Sequence, residues 1–275
     1  MGLQIATNVG ALNAYRNLSV NQNDVSKSLE KLSSGQRINR AADDAAGLAI
    51  SEGLRSQVNG LNVAARNAQD GISVIQTAEG ALTQVHSILQ RVRDLAVQAG
   101  NDSNNPASRD AIKTEIDTLG EELTRVAEST NFNGIKLLNG DNAALTFQVG
   151  AGAVAAEDQI SVTLTDFSTL GATVGALTVD TAANAATSIA AIDTQITNVS
   201  TARAGIGAAQ NRFESTINSL QVSAENLSAA KSRIVDTDMA AEMVKYTASN
   251  ILAQAGTAML AQANQSGQGV LQLLR

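Results

Sequence analysis

The sequence predicts a mostly α-helical protein: an elongated, coiled-coil-like bundle with paired N- and C-termini and a small β-hairpin region at the distal end. Three observations carry this. Apolar residues from Leu54 recur in steps of four and three, through Val58, Leu61, Ala65, Ala68, Ile72, Ile75, Ala78, Leu82, Val85, Leu89, Val92, Ala96 and Ala99. That is the a/d seam of a helix packed in coiled-coil fashion. The chain has one proline in 275 residues, as long unbroken helices require. Aromatics are 2% and tryptophan is absent, so Ala, Val, Ile and Leu must fill the core, which suits close helix–helix packing. At ~1.5 Å per residue the seam spans roughly 70 Å, longer than a compact domain of this mass. Its one short step, Ile75 to Ala78, is a stammer that overwinds the coil locally.

The other elements follow in chain order. The first segment carries Ile5, Val9, Leu12, Leu18, Val25, Leu29 and Leu32 at broadly helical spacing. Its polar positions are mainly Asn, Gln and Ser, and a lone helix of that kind is marginal in water, so it needs a partner. Ser33-Ser34-Gly35 stops it, glycine supplying a left-handed C-cap. An elbow from Arg37 to Gly47 follows, in which Asp43 or Asp44 can cap the long helix. Asn101 to Pro106 is a loop, with Pro106 suited to a first helical turn. A shorter helix carries Ile112, Ile116, Leu119, Leu123 and Val126 and ends at the turn signal Asn131-Phe132-Asn133-Gly134. The period then changes to two: Leu145, Phe147 and Val149, then Ile160, Val162 and Leu164, read as two strands joined through Gly150–Asp158. Gly171 to Ala186, rich in Ala, Thr and Gly, reads as a surface connection of variable structure. Helix returns from Ile189 to Ile234, is interrupted at Asp236-Thr237-Asp238, and resumes from Met239 to Leu274.

Composition excludes several function classes. A net charge of −7 and a pI near 4.8 argue against a nucleic-acid partner. No stretch reaches the ~18 to 20 apolar residues that span a bilayer, and Met1–Val20 lacks the basic and apolar regions of a cleavable secretory signal. The chain has no cysteine, hence no disulfide, thiolate metal site or thiol nucleophile. His86 is the sole histidine, too little for a zinc motif or a His-based triad. No phosphate loop and no nucleophile elbow occurs. No catalytic, metal or cofactor residue is therefore expected.

Two features resist a purely structural reading. Ile88, Arg91 and Leu95 lie beside the long seam at i, i+3 and i+7. They form either a second core face or an exposed binding stripe, since Arg and large apolar groups dominate binding hot spots; spacing alone favours the core. The end of the chain, Val270, Leu271, Leu273, Leu274 and Arg275, is unusually apolar for a terminus. It calls for burial against another subunit or for a partner.

At this point the chain is seen to resemble bacterial flagellin, the subunit of the flagellar filament. The resemblance rests on Leu3-Gln4-Ile5-Ala6-Thr7-Asn8, on Leu32 to Ile50, on Leu89 to Gln98, on Asn131-Phe132-Asn133-Gly134, on Gln210-Asn211-Arg212-Phe213 and on Val270 to Arg275. It covers roughly residues 1–140 and 188–275, and the short middle implies a form without large outer domains. The resemblance implies a structural, non-enzymatic subunit that leaves unfolded through type III export and assembles extracellularly as a helical homopolymer for motility. Implied partners are an export chaperone, a cap protein, a hook-junction protein and other copies of the chain. It implies an inner-tube coiled coil from residues 1–43 with 236–275, and an outer-tube bundle from residues 44–235 that includes a short variable region at about 140–187. It implies that the leucine-rich end is read by cytosolic innate sensors. It also matches Arg91, Leu95 and, on the next helix, Glu115 to the contacts of the vertebrate Toll-like flagellin receptor, with Ile88 on the same flank. Alternatives are a hook–filament junction protein of the same family, a flagellin with a metallopeptidase insert, which the missing zinc motif opposes, and an amphipathic lipid-binding bundle.

Overall fold

The computed structural model describes residues 8–273, with side chains described for residues 8–265. The order of elements is α1 (Val9–Ser34), α2 (Ala45–Ala99), α3 (Pro106–Ser129), β1 (Asn131–Phe132), β2 (Ile135–Lys136), β3 (Ala144–Gln148), α4 (Ala155–Asp158), β4 (Gln159–Thr163), α5 (Leu170–Gly175), α6 (Ala182–Val235) and α7 (Met239–Leu273). Contacts divide the chain into two units. One comprises residues 1–56 with 226–275 and the other residues 57–225.

In the terminal unit α1 packs on α7. Local chemistry sets the ends of both helices. Asn8 caps α1 by accepting the Ala11 N–H. Gly35 closes it at φ 71°, a conformation that costs a residue without Cβ nothing. The elbow resolves the choice between the two aspartates. Asp44 accepts the Gly47 N–H at 2.8 Å and caps α2. Asp43 instead accepts the Asn39 and Arg40 N–H groups, which hold its carboxyl below the ordinary range, Arg40 most. The returning chain is tied to this elbow by Arg37, whose N–H donates to the Val235 carbonyl and whose guanidinium donates to that of Ile234. Thr237 N–H donates to the Gly35 carbonyl, and Asp238 caps α7 through Ala240 and Ala241.

The second unit holds the large apolar core. The predicted seam is buried from Ala68 through Ile75, Leu82, Val85, Leu89, Val92 and Ala99, and meets Ile116 and Leu123 of α3 and Ile192, Val199, Ile206 and Phe213 of α6. Asn105 caps α3 and Pro106 opens it. Three ion pairs tie the flanks: Arg91–Glu115, Arg93–Asp193 and Glu79–Arg203. Glu79 and Arg93 of α2 pair with Arg203 and Asp193 of α6, and Arg91 and the Ala99 carbonyl with Glu115 and Arg109 of α3, so α2 is antiparallel to both. The strands form two antiparallel hairpins. The tight one turns through Asn133 and Gly134, both at positive φ. In the other, Leu145 faces Val162 and Phe147 faces Ile160. This hairpin docks on the helices through Phe147, which meets Phe213 edge-on at 5.5 Å. Gly71 makes room for the pair: a Cβ there would stand 2.9 Å from the Phe213 ring and 3.3 Å from Phe147.

The reading of Gly171 to Ala186 as a surface connection is corrected. Leu170, Gly171 and Val174 of α5 are buried, as are Leu177, Val179 and Ala185. Small side chains there reflect closeness rather than looseness, because a Cβ at Gly171 would sit 2.3 Å from the Gly120 carbonyl of α3.

Candidate assembly surface and flanking stripe

The face that α1 turns to α7 repeats every three and four residues at Ala11, Ala14, Leu18, Asn21, Val25, Ser28 and Leu32, all buried or half-buried. The facing line on α7 is Glu242, Tyr246, Ser249, Ala253, Gly256, Leu260 and Ala263. This is an a/d seam in spacing, but small and polar residues occupy most of it. Two polar contacts bracket it. Asn8 Nδ2 donates to the Ala263 carbonyl at 2.9 Å, and Ser28 Oγ donates to Glu242 Oε1 at 2.7 Å. Ser28 and Glu242 are each 7% exposed. The large apolar residues point the other way. Val9, Leu12, Tyr15, Val20 and Leu29 of α1 are exposed, as are Met243, Val244, Ile251, Leu252 and Met259 of α7, with Leu12 at 54% and Ile251 at 61%. Val9, Leu12 and Leu29, part of the apolar periodicity of the first segment, thus lie outside the seam. Among the described residues of the first segment's apolar set, Leu18, Val25 and Leu32 alone lie on this buried line, and Ile5 lies outside the described residues.

The stripe beside the long seam separates into two kinds of residue. Leu95 is 2% exposed and belongs to the core, and Ile88 packs half-buried against it. Arg91 and Glu115 remain outside, with side chains 57% and 44% exposed. Arg91 donates to Glu115 Oε1 from Nε at 3.0 Å and from Nη2 at 2.6 Å. An exposed pair of this kind adds little stability, roughly 0–1 kcal/mol. What it does is hold a cation and an anion side by side on two adjacent helices. A parallel pair lies on the other flank, where Arg93 donates to Asp193. That bond lowers the Asp193 carboxyl and raises the Arg93 guanidinium.

The predicted tail residues lie beyond what the structure describes. The side chains of Val270, Leu271 and Leu273 fall outside the described residues, and Leu274 and Arg275 do so entirely. Among the described residues no group of His, Cys, Asp or Glu is placed to hold a metal ion, and no helix is long and apolar enough to cross a membrane.

Comparison with known proteins bears on this arrangement. The bacterial flagellin N-terminal helical region matches residues 5–143, and the flagellin C-terminal helical region matches residues 189–274. Flagellin of Halalkalibacterium halodurans is 52% identical over 269 residues, 98% of each chain. Flagellin of Bacillus subtilis is 49% identical over 309 residues, 99% of this chain and 100% of that one. The flagellar filament 33 kDa core protein of Treponema phagedenis is 44% identical, again over 98% of each. The crystal structure of Bacillus cereus flagellin is 33% identical and covers 60% of this chain and 94% of its own, with a TM-score of 0.50. Two terminal helices joined by a thin seam, a helical second unit and near-half identity from end to end agree: the chain belongs to the bacterial flagellin family.

Proposed function

We infer that this chain is the structural subunit of the bacterial flagellar filament, a helical polymer outside the cell that serves motility. One observation carries the reading. The helices α1 and α7 turn their small side chains toward each other and leave Leu12, Leu29, Val244, Ile251, Leu252 and Met259 facing outward. Large apolar side chains exposed along the length of both helices fit a protein–protein contact, and neighbouring copies of the same chain supply the cover. The contact is heterologous, because only head-to-tail contacts propagate without closing. Nothing in the reading needs a catalyst. End-to-end identity to filament proteins favours the filament subunit over a hook–filament junction protein. Electron microscopy of purified protein after seeding tests it. Long tubes are expected; a monodisperse solution at high concentration with intact seeds contradicts it.

The remaining roles form a coherent set. The terminal helices, residues 1–43 and 236–275, line an inner tube, and residues 44–235 form the outer wall, with a short variable segment at about 140–187. An export chaperone and a cap protein handle the chain before and during assembly, and a hook-junction protein receives the first copies. Val270, Leu271, Leu273, Leu274 and Arg275 contribute buried contacts in the polymer, and the same end is offered to cytosolic innate sensors. For the vertebrate Toll-like receptor, the exposed Arg91–Glu115 pair supplies the polar contact, while Leu95 and Ile88 act by holding α2 in place beneath it. Arg91→Ala is then expected to weaken receptor binding by at least ~2 kcal/mol, the threshold of a hot spot, with helix content unchanged. An Arg91→Ala monomer that activates receptor-bearing cells as the wild type does removes the stripe from this role.

A further inference from the structure

We propose that a groove beside Arg212 is one half of a head-to-tail contact between copies of this chain, and that Asp94 and Asp110, at the opposite end of the same unit, are the other half; this rests on the filament reading. Residues 57–225 carry twice as many acidic as basic side chains. A guanidinium left without a carboxylate is therefore the unusual case there. Arg91, Arg93, Arg125 and Arg203 each meet one. Arg212 is exposed and makes neither an ion pair nor a hydrogen bond. The carboxylates around it do not serve it. Glu214 accepts from Gln210, Asp158 accepts the Gly152 and Val154 N–H groups, and Glu157, which lines the same groove, pairs with nothing.

The surroundings of Arg212 are built to receive an anion. The groove lies between α6 and the hairpin loop of residues 150–158, and Ser215, Thr216 and Ser219 line it beside Arg212. Their hydroxyls make no hydrogen bond within the chain. Thr194, Thr197, Ser200 and Thr201 of the same helix instead donate to the carbonyl four residues back. The facing wall is fixed. Gln148 Nε2 donates to the Gly150 and Gly152 carbonyls, and Gly60 lets the loop close on α2, since a Cβ there would stand 2.9 Å from Ala151. A planar guanidinium with free hydroxyls beside it on a set wall suits a carboxylate, which it can hold by two parallel bonds.

A second copy supplies that carboxylate. Asp94 and Asp110 are exposed and unpaired. Val97, one turn beyond Asp94, is 50% exposed, and Val154 on the loop by the groove is 54% exposed. Each end thus presents an open valine with free charge, and the charges are of opposite sign. The two ends cannot meet within one chain. Gly71 packs beside Phe213, and from there to Asp94 roughly 35 Å of α2 intervenes at ~1.5 Å per residue. Complementary patches at opposite ends of one unit make a heterologous contact that every added copy repeats.

Charge reversal in the full chain tests this. Arg212→Glu should slow seeded elongation at least ~10-fold, because like charges set face to face oppose an interface. Thermal unfolding of the unassembled chain should not change, since Arg212 holds nothing within it. Asp94→Arg/Asp110→Arg should slow elongation comparably. The chain with all three changes should recover to within about 3-fold of the wild type, as coupled sites do in a double-mutant cycle. Because the chain has no cysteine, Arg212→Cys/Asp94→Cys places the only thiols at the two ends. A short bis-maleimide should join such subunits into a ladder of multimers in filaments and leave the unassembled chain single. Arg212→Glu elongating like the wild type, a triply changed chain as slow as Arg212→Glu, or filaments without a ladder would each overturn the contact while the filament reading stands. A wild type that fails to elongate from intact seeds sinks the filament reading, and this contact with it.

Discussion

The two units solve the same problem, burying the faces of long helices, with opposite residues. In residues 57–225 the seam is Ile75, Leu82, Val85, Leu89, Val92 and Phe213, and the flanks carry ion pairs. In the terminal unit the seam is Ala, Ser, Asn and Gly with a few larger residues, and the flanks carry Leu, Ile, Val and Met. The first arrangement is self-sufficient. The second is unfinished within one chain, since its apolar area is on the wrong side for folding alone. The difference teaches where the free energy of each unit is collected: within the subunit for one, between subunits for the other.

Charge on the outward face should break the comparison most completely. Leu12→Asp/Ile251→Asp is expected to abolish polymerisation and leave the melting of the second unit unchanged. Burying an unpaired carboxylate in a neighbour's surface costs several kcal/mol, while in the single chain both positions stay in water. Seeded assembly followed by light scattering, beside thermal unfolding by circular dichroism, checks both halves. Truncation inside the second unit should act in the reverse sense. Phe213→Ala removes a fully buried ring that meets Phe147, and is expected to cost about 3–5 kcal/mol in urea unfolding of the unassembled chain. Leu18→Ala, in the terminal seam, should hardly move that transition.

Overpacking sharpens the point at smaller scale. Gly71→Ala places a Cβ against Phe213 and Phe147 and should destabilise the same transition by about 1–3 kcal/mol. Gly53→Ala, where a Cβ meets nothing within 4 Å, should be neutral or slightly stabilising, because alanine is the better helix former.

How much of this was legible in the sequence differs between the units for the same reason. The α2 seam, the α3 helix and the hairpin of Phe147 and Ile160 were readable because large apolar residues mark them at helical or strand period; the cap at Asn105 was not, only Pro106 beside it. The terminal seam was not. A search for apolar periodicity finds Leu12, Leu29 and Ile251, which face outward, and passes over Asn21, Ser28, Glu242 and Ser249, which face inward. The signal was present as a strict three–four alternation in which small and polar residues outnumber Leu18, Val25, Leu32, Tyr246 and Leu260. Gly171 to Ala186 was misread for a related reason, since residues chosen for close backbone approach resemble residues of a loose connection. In the stripe, spacing put Arg91 and Leu95 on one face; only the third dimension shows that Leu95 is buried in the core and that α3 gives Arg91 the Glu115 carboxylate.

The smallest expected effect is on acid stability. Asp43, through the Arg40 and Asn39 N–H groups, and Asp193, through Arg93, are held below the ordinary carboxylate range. The folded chain thus favours their charged forms. Their contribution is complete above the unfolded value of about 4 and is lost as pH falls through the lowered native values. Urea midpoints should be flat from neutral pH to about pH 5 and decline below about pH 4. Asp193→Asn should flatten that decline without moving the neutral value much, because the pair is exposed. A midpoint that declines as steeply in Asp193→Asn as in the wild type removes this carboxylate from the account.

Hydrogen exchange on the unassembled chain and on filaments tests the central contrast most directly. Amides of α2, α3 and α6 between residues 57 and 225 should be protected in both states. Those of α1 and α7 should exchange freely in the single chain and become protected in the filament, where neighbours cover Leu12, Val244, Ile251 and Met259. Equal protection of α1 and α7 before and after assembly would mean that the thin seam suffices by itself, and would contradict the claim that this unit is completed only by other copies.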